Sequence, residues 1–431
     1  MRLWPVALAA LTFLVGAEAA AAQPAPAAPS PETLKALIRL GEALGIAERE
    51  HVTPIDEVKA IDVAAHAMLA SFDSRSEFLT AAEFDRLRRG GGDGYVGVGL
   101  TLSRGDAGLI VMAPLDGGPA ARADVRFGDL IVAIDGHQIG DEGLTATFDR
   151  LRGPVGSTAI LSLVRDHRRF DVVLTRAFVE LRSVRISVRE GLGVIRISEF
   201  NASTDGDVVK AVSDLLAQSP ALKGVVLDLR NNPGGLLASA EAVASDFLDG
   251  GVVVTQTGRG PQDSATYRAK PGGDRLRGLP MVVLVNPGTG SGAEVVAAAL
   301  QDNRRAAVVG LTTAGAGSIQ TVFPLGGGGA IKLTTALYFR PSGQPIRRLG
   351  VTPDLAVARS AQEAARADIF DATRLENAIV EAPGGPPPPP APPRAPAETP
   401  PAGYDAEHGD YQMDRALDLL RTRIGGKSPP G

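Results

Sequence analysis

The chain has 431 residues, enough for two or three domains that each bury a core. A net charge of −5, a pI near 5.7 and the lack of any block of like charge argue against binding nucleic acid through phosphate contacts. There is no cysteine, which excludes a disulfide framework and a lipid-attachment thiol, and no metal-ligand spacing of histidines or carboxylates appears.

The N-terminus reads as an export signal. Arg2 gives a short positive region, Leu3–Val15 an apolar stretch, and 17–22 a run of small residues with cleavage after Ala19 or Ala22. The apolar stretch falls short of the roughly 20 residues of a spanning helix. We therefore expect a signal peptide over 1–22 and a periplasmic protein. After a Pro/Ala linker (23–30), residues 31–90 carry apolar positions at helical spacing: Leu34, Leu37, Ile38 and Leu44, then Val58, Ile61, Ala65, Met68, Leu69 and Phe72. Gly90–Gly92 end that region.

From 94 to 177 the pattern changes to short strands with turn signals, YVGVGLTL, GLIVMAPL, DLIVAIDG, STAILSLVR and DVVLTR, with one helical stretch at 143–153. Residues 180–360 then alternate strands and helices, as in an α/β core. Two stretches there carry chemistry. One, 282–303, is a buried-strand pattern, a Gly-rich turn holding Ser291, and an Ala-rich helix; the other is DLRNNPGG, 228–235. A hydroxyl at such a turn lies by a helix N-terminus, where free N–H groups can stabilise an oxyanion. Residues 382–401 form a Pro-rich linker that cannot build a core, and 409–424 a last helix.

Taken together these motifs resemble the carboxyl-terminal (tail-specific) processing serine peptidases. VNPGTGSGAE is similar to the family's nucleophile segment, 116–136 follows its PDZ spacing, and the match runs over 55–355 and 409–422. The resemblance implies an α+β / α/β multidomain protein: N-terminal helices, a PDZ domain of the circularly permuted bacterial kind, a crotonase-like peptidase core and a C-terminal helix. It implies that Ser291 holds the nucleophile position, that Gly292 offers one oxyanion donor, and that either Gly234 or Gly235 offers the other. Asn286, Glu294 and the orienting Gln320 also match. Val96, Gly97, Val98, Gly99 and Leu100 would form the loop that receives a peptide C-terminus, since glycine lets backbone N–H groups approach an anion closely and the peptide can add as a strand. No cofactor is implied; the expected partners are protein C-terminal tails, and an oligomer is possible within the family.

One position departs from that pattern. The family's general-base lysine lies 25 residues after the serine, in a G-K-G-S/T-V-Q segment; here the segment is Gly315-Ala316-Gly317-Ser318-Ile319-Gln320. A serine hydroxyl is a weak nucleophile until a base takes its proton, and an alanine accepts none. Losing a positioned base costs roughly 10²–10⁴-fold in rate, and losing one member of a catalytic unit about 10⁶-fold. Leu311, Thr312, Ala314, Gly290 and Gly292 depart from the pattern around the same site. The sequence thus points to a tail-binding homologue with proteolysis lost or severely weakened. The alternative is an active serine endopeptidase using another base, either Lys332 or one from an oligomeric partner. No histidine (51, 66, 137, 167 or 408) is placed near Ser291 by any motif.

Overall fold

The structure is a computed structural model; it describes residues 29–73, 75–89, 94–105, 108–115, 117–139, 144–165, 168–180, 183–365, 396–405 and 409–425. The expected signal peptide, most of the Pro-rich linker, His167 and His408 lie outside the described residues. Met1–Ala64 and Ala65–Gly431 form two compact units. Within the first, α1 (Pro31–Glu50) starts at Ser30, whose hydroxyl accepts the Thr33 N–H at 3.1 Å, with Pro31 at the first helical position. A second helix, α2 (Glu57–Ala70), follows.

The expected helical region is not helical throughout. Residues Glu77–Leu79 form a strand, β1, ahead of α3 (Ala81–Arg89). The apolar spacing that predicts helix here is satisfied by a short edge strand instead, because a partner strand in the core supplies its backbone bonds.

The strands expected between 94 and 177 form a small antiparallel domain. A ribbon pairs β2 (Gly94–Gly97) with β9 (Ala177–Glu180). The main sheet has the order β3 (Leu100–Gly105), β4 (Gly108–Pro114), β5 (Leu130–Ile134), β7 (Thr158–Arg165), β8 (Arg168–Thr175), with β6 (His137–Gln138) beside β5. Alternate residues turn inward, so Leu109, Val111, Ile131, Leu161 and Leu163 pack with Val98, Leu151 and Leu174 into one core. Short helices α4 (Pro119–Arg122) and α5 (Leu144–Leu151) cover it.

The large domain is built on a six-stranded sheet in the order β10 (Val184–Arg189), β11 (Leu192–Ile197), β12 (Gly224–Asp228), β15 (Met281–Val285), β16 (Ala307–Gly310), β19 (Leu355–Ala356). Only the β10 edge is antiparallel. Strands β12 and β15 are buried along their whole length, which explains their unbroken apolar runs. Val225, Leu227, Val283 and Val285 face helices α6 (Thr204–Gln218), α7 (Leu237–Ser245) and α8 (Gly292–Asp302); Val226, Val282 and Leu284 face the C-terminal helix (Tyr411–Ile424) through Met413, Ala416, Leu417 and Leu420.

A second sheet joins β1 to β18 (Ala330–Phe339), β13 (Val252–Gly258) and β14 (Ala265–Arg268), with β17 (Ser318–Pro324) also on β18. The end of the expected linker is likewise not free chain. Glu398 bridges Val357: its N–H donates to Ala356 O and its carbonyl accepts from Ala358 N–H, both at 2.8 Å.

Candidate active site

The carboxyl ends of β12 and β15 lie side by side, the place where open α/β sheets bind ligands. The two loops leaving them are stitched together by asparagines. Asn286 Oδ1 accepts the Asn231 N–H at 2.8 Å, Asn286 Nδ2 donates to Asn231 Oδ1 at 2.7 Å, and the Gly290 N–H donates to Asn232 O at 2.8 Å. Thr289 Oγ1 donates to Leu229 O at 2.9 Å. Each loop therefore fixes the other, and the NNPGG and NPGTGS motifs have a mutual geometric reason.

Ser291 caps α8 in a conformation that L-residues rarely adopt, φ 51° and ψ −120°. Such backbone strain costs on the order of 1–3 kcal/mol and persists only where the surroundings impose it. The main imposing group is Glu294. Its carboxylate is completely buried and accepts from the Ser291 N–H at 2.8 Å, the Gly315 N–H at 2.7 Å, the Ala316 N–H at 2.8 Å and the Thr313 hydroxyl. Burial pushes the Glu294 carboxyl up, against these four hydrogen bonds, which pull it down. One side chain thus holds Ser291 and Ala316 together. A methyl group added at Gly290 would lie 3.6 Å from the Ala316 Cβ, so residue 316 faces the Ser291 turn.

Both glycines of the pair are in tight contact with their surroundings. A methyl at Gly234 would lie 2.5 Å from Ser291 Cβ and 2.8 Å from Gly292 N, and one at Gly235 would strike Phe200 O at 2.1 Å. Only glycine fits at either position. The Gly234 N–H is engaged by Asn232 Oδ1 at 2.8 Å. Those of Gly235 and Gly292 have no acceptor among the described residues.

No lysine, histidine or carboxylate bonds the Ser291 hydroxyl among the described residues. Lys332 stands on β18 opposite Val322, and its Nζ is paired with Glu77 Oε1 at 2.8 Å. Gln320 Nε2 donates to Ser318 Oγ at 2.9 Å and Thr334 Oγ1 at 3.4 Å.

In the small domain, Gly97 ends β2 and Val98–Gly99 turn the chain into β3, with Gly99 at φ 75°. The carbonyls of Val98 and Gly99 accept from Ala120 at 2.9 Å and Leu115 at 3.0 Å, while the Tyr95 hydroxyl faces the N–H groups of Leu100 and Gly99. Val96, Gly97, Val98, Gly99 and Leu100 thus share one loop, and Tyr95 leans over it with Arg152 stacked on its ring at 5.3 Å. This domain meets the large one at the loop before Ser291: a methyl at Gly288 would lie 2.8 Å from Met112 O of β4. Tyr95 and Glu241, described below, escape sequence reading because no local pattern marks them.

The geometry agrees with comparisons to known proteins. Residues 191–357 match the model of peptidase family S41, and residues 110–165 match a PDZ domain. A carboxy-terminal-processing protease of Bartonella bacilliformis is 35% identical over 396 residues, 91% of this chain and 90% of the relative. The chain belongs to peptidase family S41. Among other members, a probable CtpA-like serine protease of Staphylococcus aureus is 32% identical over 66% of this chain and 57% of its own length. The solved photosystem II D1 C-terminal processing protease superposes with a TM-score of 0.63 at 31% identity, covering 78% of this chain and 90% of that one. Membership makes this a serine peptidase fold with a PDZ domain and bears out the expected mixed α/β architecture.

Proposed function

We propose that this S41 homologue acts in the periplasm as a receptor for protein C-terminal tails and does not hydrolyse them efficiently. The observation that carries this reading is the shared grip of Glu294 on Ser291 and Ala316. It brings the side chain of residue 316 beside the nucleophile turn, and that side chain is a methyl group. Gly292 and Gly235, with unengaged N–H groups, are the oxyanion donors in this reading, Gln320 keeps its orienting position, and the loop from Val96 to Leu100 receives the tail carboxylate. What is lost is proton abstraction. Export rests on the apolar N-terminal stretch, and among the described residues no helix is long and apolar enough to cross a membrane.

The test is cleavage of an unfolded substrate with an apolar C-terminus by the mature protein and by Ala316→Lys. The natural chain should leave it intact, whereas Ala316→Lys should raise cleavage by at least about 10²-fold, the lower end of what a positioned base contributes. Cleavage by the natural chain that disappears in Ser291→Ala would overturn the proposal. The alternative base Lys332 finds little support, because its ammonium is committed to Glu77.

A further inference from the structure

A cavity of about 500 Å³ opens where the small domain, the carboxyl ends of β12 and β15, and the C-terminal segment meet. That volume falls in the range of small-molecule sites. Ser291 and the loop from Val96 to Leu100 are not part of its lining. Asn231 and Asn286, which stitch the two site loops together, are. The cavity is therefore separate from the candidate active site but shares a wall with the loops that build it.

The polar lining is unevenly committed. Four carboxylates border the cavity, and each is already taken by an arginine: Asp124 by Arg126, Asp228 and Asp410 by Arg230, and Glu363 by Arg359. The donors are not used up in the same way. Arg126 engages Asp124 through Nε and Nη2, and Arg359 engages Glu363 through Nε and its backbone N–H, at 2.9 and 2.6 Å. Arg126 Nη1 and both Nη groups of Arg359 have no acceptor among the described residues. Five N–H donors per guanidinium leave each of these two with a free edge. Aromatic rings complete the lining, from Phe127, Tyr404 and Tyr411. The Tyr404 and Tyr411 rings meet edge to face at 5.3 Å, and the Tyr404 hydroxyl is bound to Asp414 Oδ2 at 2.5 Å. Free donors beside occupied acceptors select an anion, since a cation would first have to strip an arginine from its carboxylate.

We propose that this cavity binds a small organic anion, a carboxylate or phosphate group carried on an aromatic body, held by Arg126 of the small domain and Arg359 of the segment after β19. A planar guanidinium meets either kind of anion through paired hydrogen bonds. The rings of Phe127, Tyr404 and Tyr411 take the body of the ligand, which an inorganic ion lacks. Because its two arginines come from different parts of the chain, the bound anion bridges the small domain and the core beside Asn231 and Asn286. The inference is independent of whether Ser291 cuts, since no residue of that turn takes part.

The experiment is calorimetric titration of the full chain with phenyl phosphate, benzoate, inorganic phosphate and benzamide. Phenyl phosphate or benzoate should bind, and the tighter of the two identifies the anionic group. Benzamide keeps the body without the charge and inorganic phosphate the charge without the body; each should bind at least about 10-fold more weakly. Arg126→Gln and Arg359→Gln should each weaken the preferred ligand about 10-fold, and the corresponding lysine variants should keep part of the affinity. Both side chains are nearly half exposed, so the variants should melt like the natural chain. Arg421→Gln, at the far end of the C-terminal helix, should bind as the natural chain does. Failure of both aromatic anions to bind overturns the proposal. So does binding that survives the Arg126 and Arg359 substitutions, or that Arg421→Gln weakens equally, because only general attraction of charge would then remain. Inorganic phosphate that binds as tightly as phenyl phosphate overturns the organic ligand. A loss in Arg359→Gln with none in Arg126→Gln overturns the bridge between the small domain and the core.

Discussion

At the scale of single residues, the turn at Ser291 is held by one carboxylate, that of Glu294. Glu294 was legible in the sequence as a motif match, but its hold on three backbone N–H groups was not, because two of its donors come from a segment some twenty residues away. Glu241 was not legible at all. It lies on α7, its Oε1 is buried without a hydrogen bond, and Tyr267 of β14 and Tyr338 of β18 face it. Burial pushes its carboxyl up to about 7. The sign follows from that direction. With a folded-state pKa above the unfolded value, the advantage of the neutral form is whole below about 4.5 and is lost as pH rises through about 7. Glu241→Gln keeps the shape and removes the charge. Thermal melts should therefore show it more stable than the natural chain at pH 8 and nearly equal to it at pH 5; equal melts at both would mean that this carboxyl titrates normally.

At the scale of elements, what the sequence shows best is what depends on neighbouring residues. The strand–turn–helix around Ser291, the alternating strands of the small domain and the buried runs of β12 and β15 follow from local periodicity. Two elements escape local periodicity because distant strands decide them: Glu77–Leu79 is strand since Ala330–Lys332 pairs with it, and Glu398 leaves the linker to bridge Val357. The loop from Val96 to Leu100 shows a third case. Its glycines are legible, but the Tyr95 hydroxyl beside the N–H groups of Gly99 and Leu100 is a matter of packing. Burial pushes that phenol's pKa up, and the two N–H groups and Arg152 oppose the shift, so the hydroxyl stays neutral beside the N–H groups that a tail carboxylate would use in the proposed reading. In the proposed reading an arriving tail would compete with it. A net hydrogen bond contributes about 0.5–1.5 kcal/mol, so Tyr95→Phe should tighten tail binding roughly 3- to 10-fold. Calorimetric titration of a free-acid peptide checks this, and weaker binding by Tyr95→Phe would instead make the hydroxyl a contact to the tail.

At the scale of the whole molecule, the C-terminal helix is tied to the candidate site through one arginine. Arg230 immediately precedes the Asn231–Gly235 turn that meets Ser291. Its guanidinium binds Asp228 at the end of β12 through Nε and Nη2, at 3.0 and 2.7 Å, and Asp410 at the helix cap through Nη1 and Nη2, both at 2.8 Å. Arg196 donates to the Arg230 carbonyl and lies 3.5 Å from Asp228. The helix also buries Met413, Leu417 and Leu420 on the sheet, so the last segment of the chain supports both the core and the turn. Burial would raise the Asp228 carboxyl, but Arg230 and then Arg196 overcome it and hold it down at about 2. A folded-state pKa below the unfolded one stabilises the fold above about pH 4, and that contribution is lost as pH falls toward 2. Arg230→Met leaves Asp228 buried with Arg196 alone. Removing one partner of a buried pair costs about 3–5 kcal/mol. Denaturant unfolding at pH 7 should show a loss of that order, shrinking as the pH is lowered toward 2, where Asp228 takes up its proton in the natural chain as well. A loss that is the same at pH 7 and at pH 2 would assign the effect to packing of the arginine stem, and the electrostatic tie between the C-terminal helix and the Ser291 turn would fall with it.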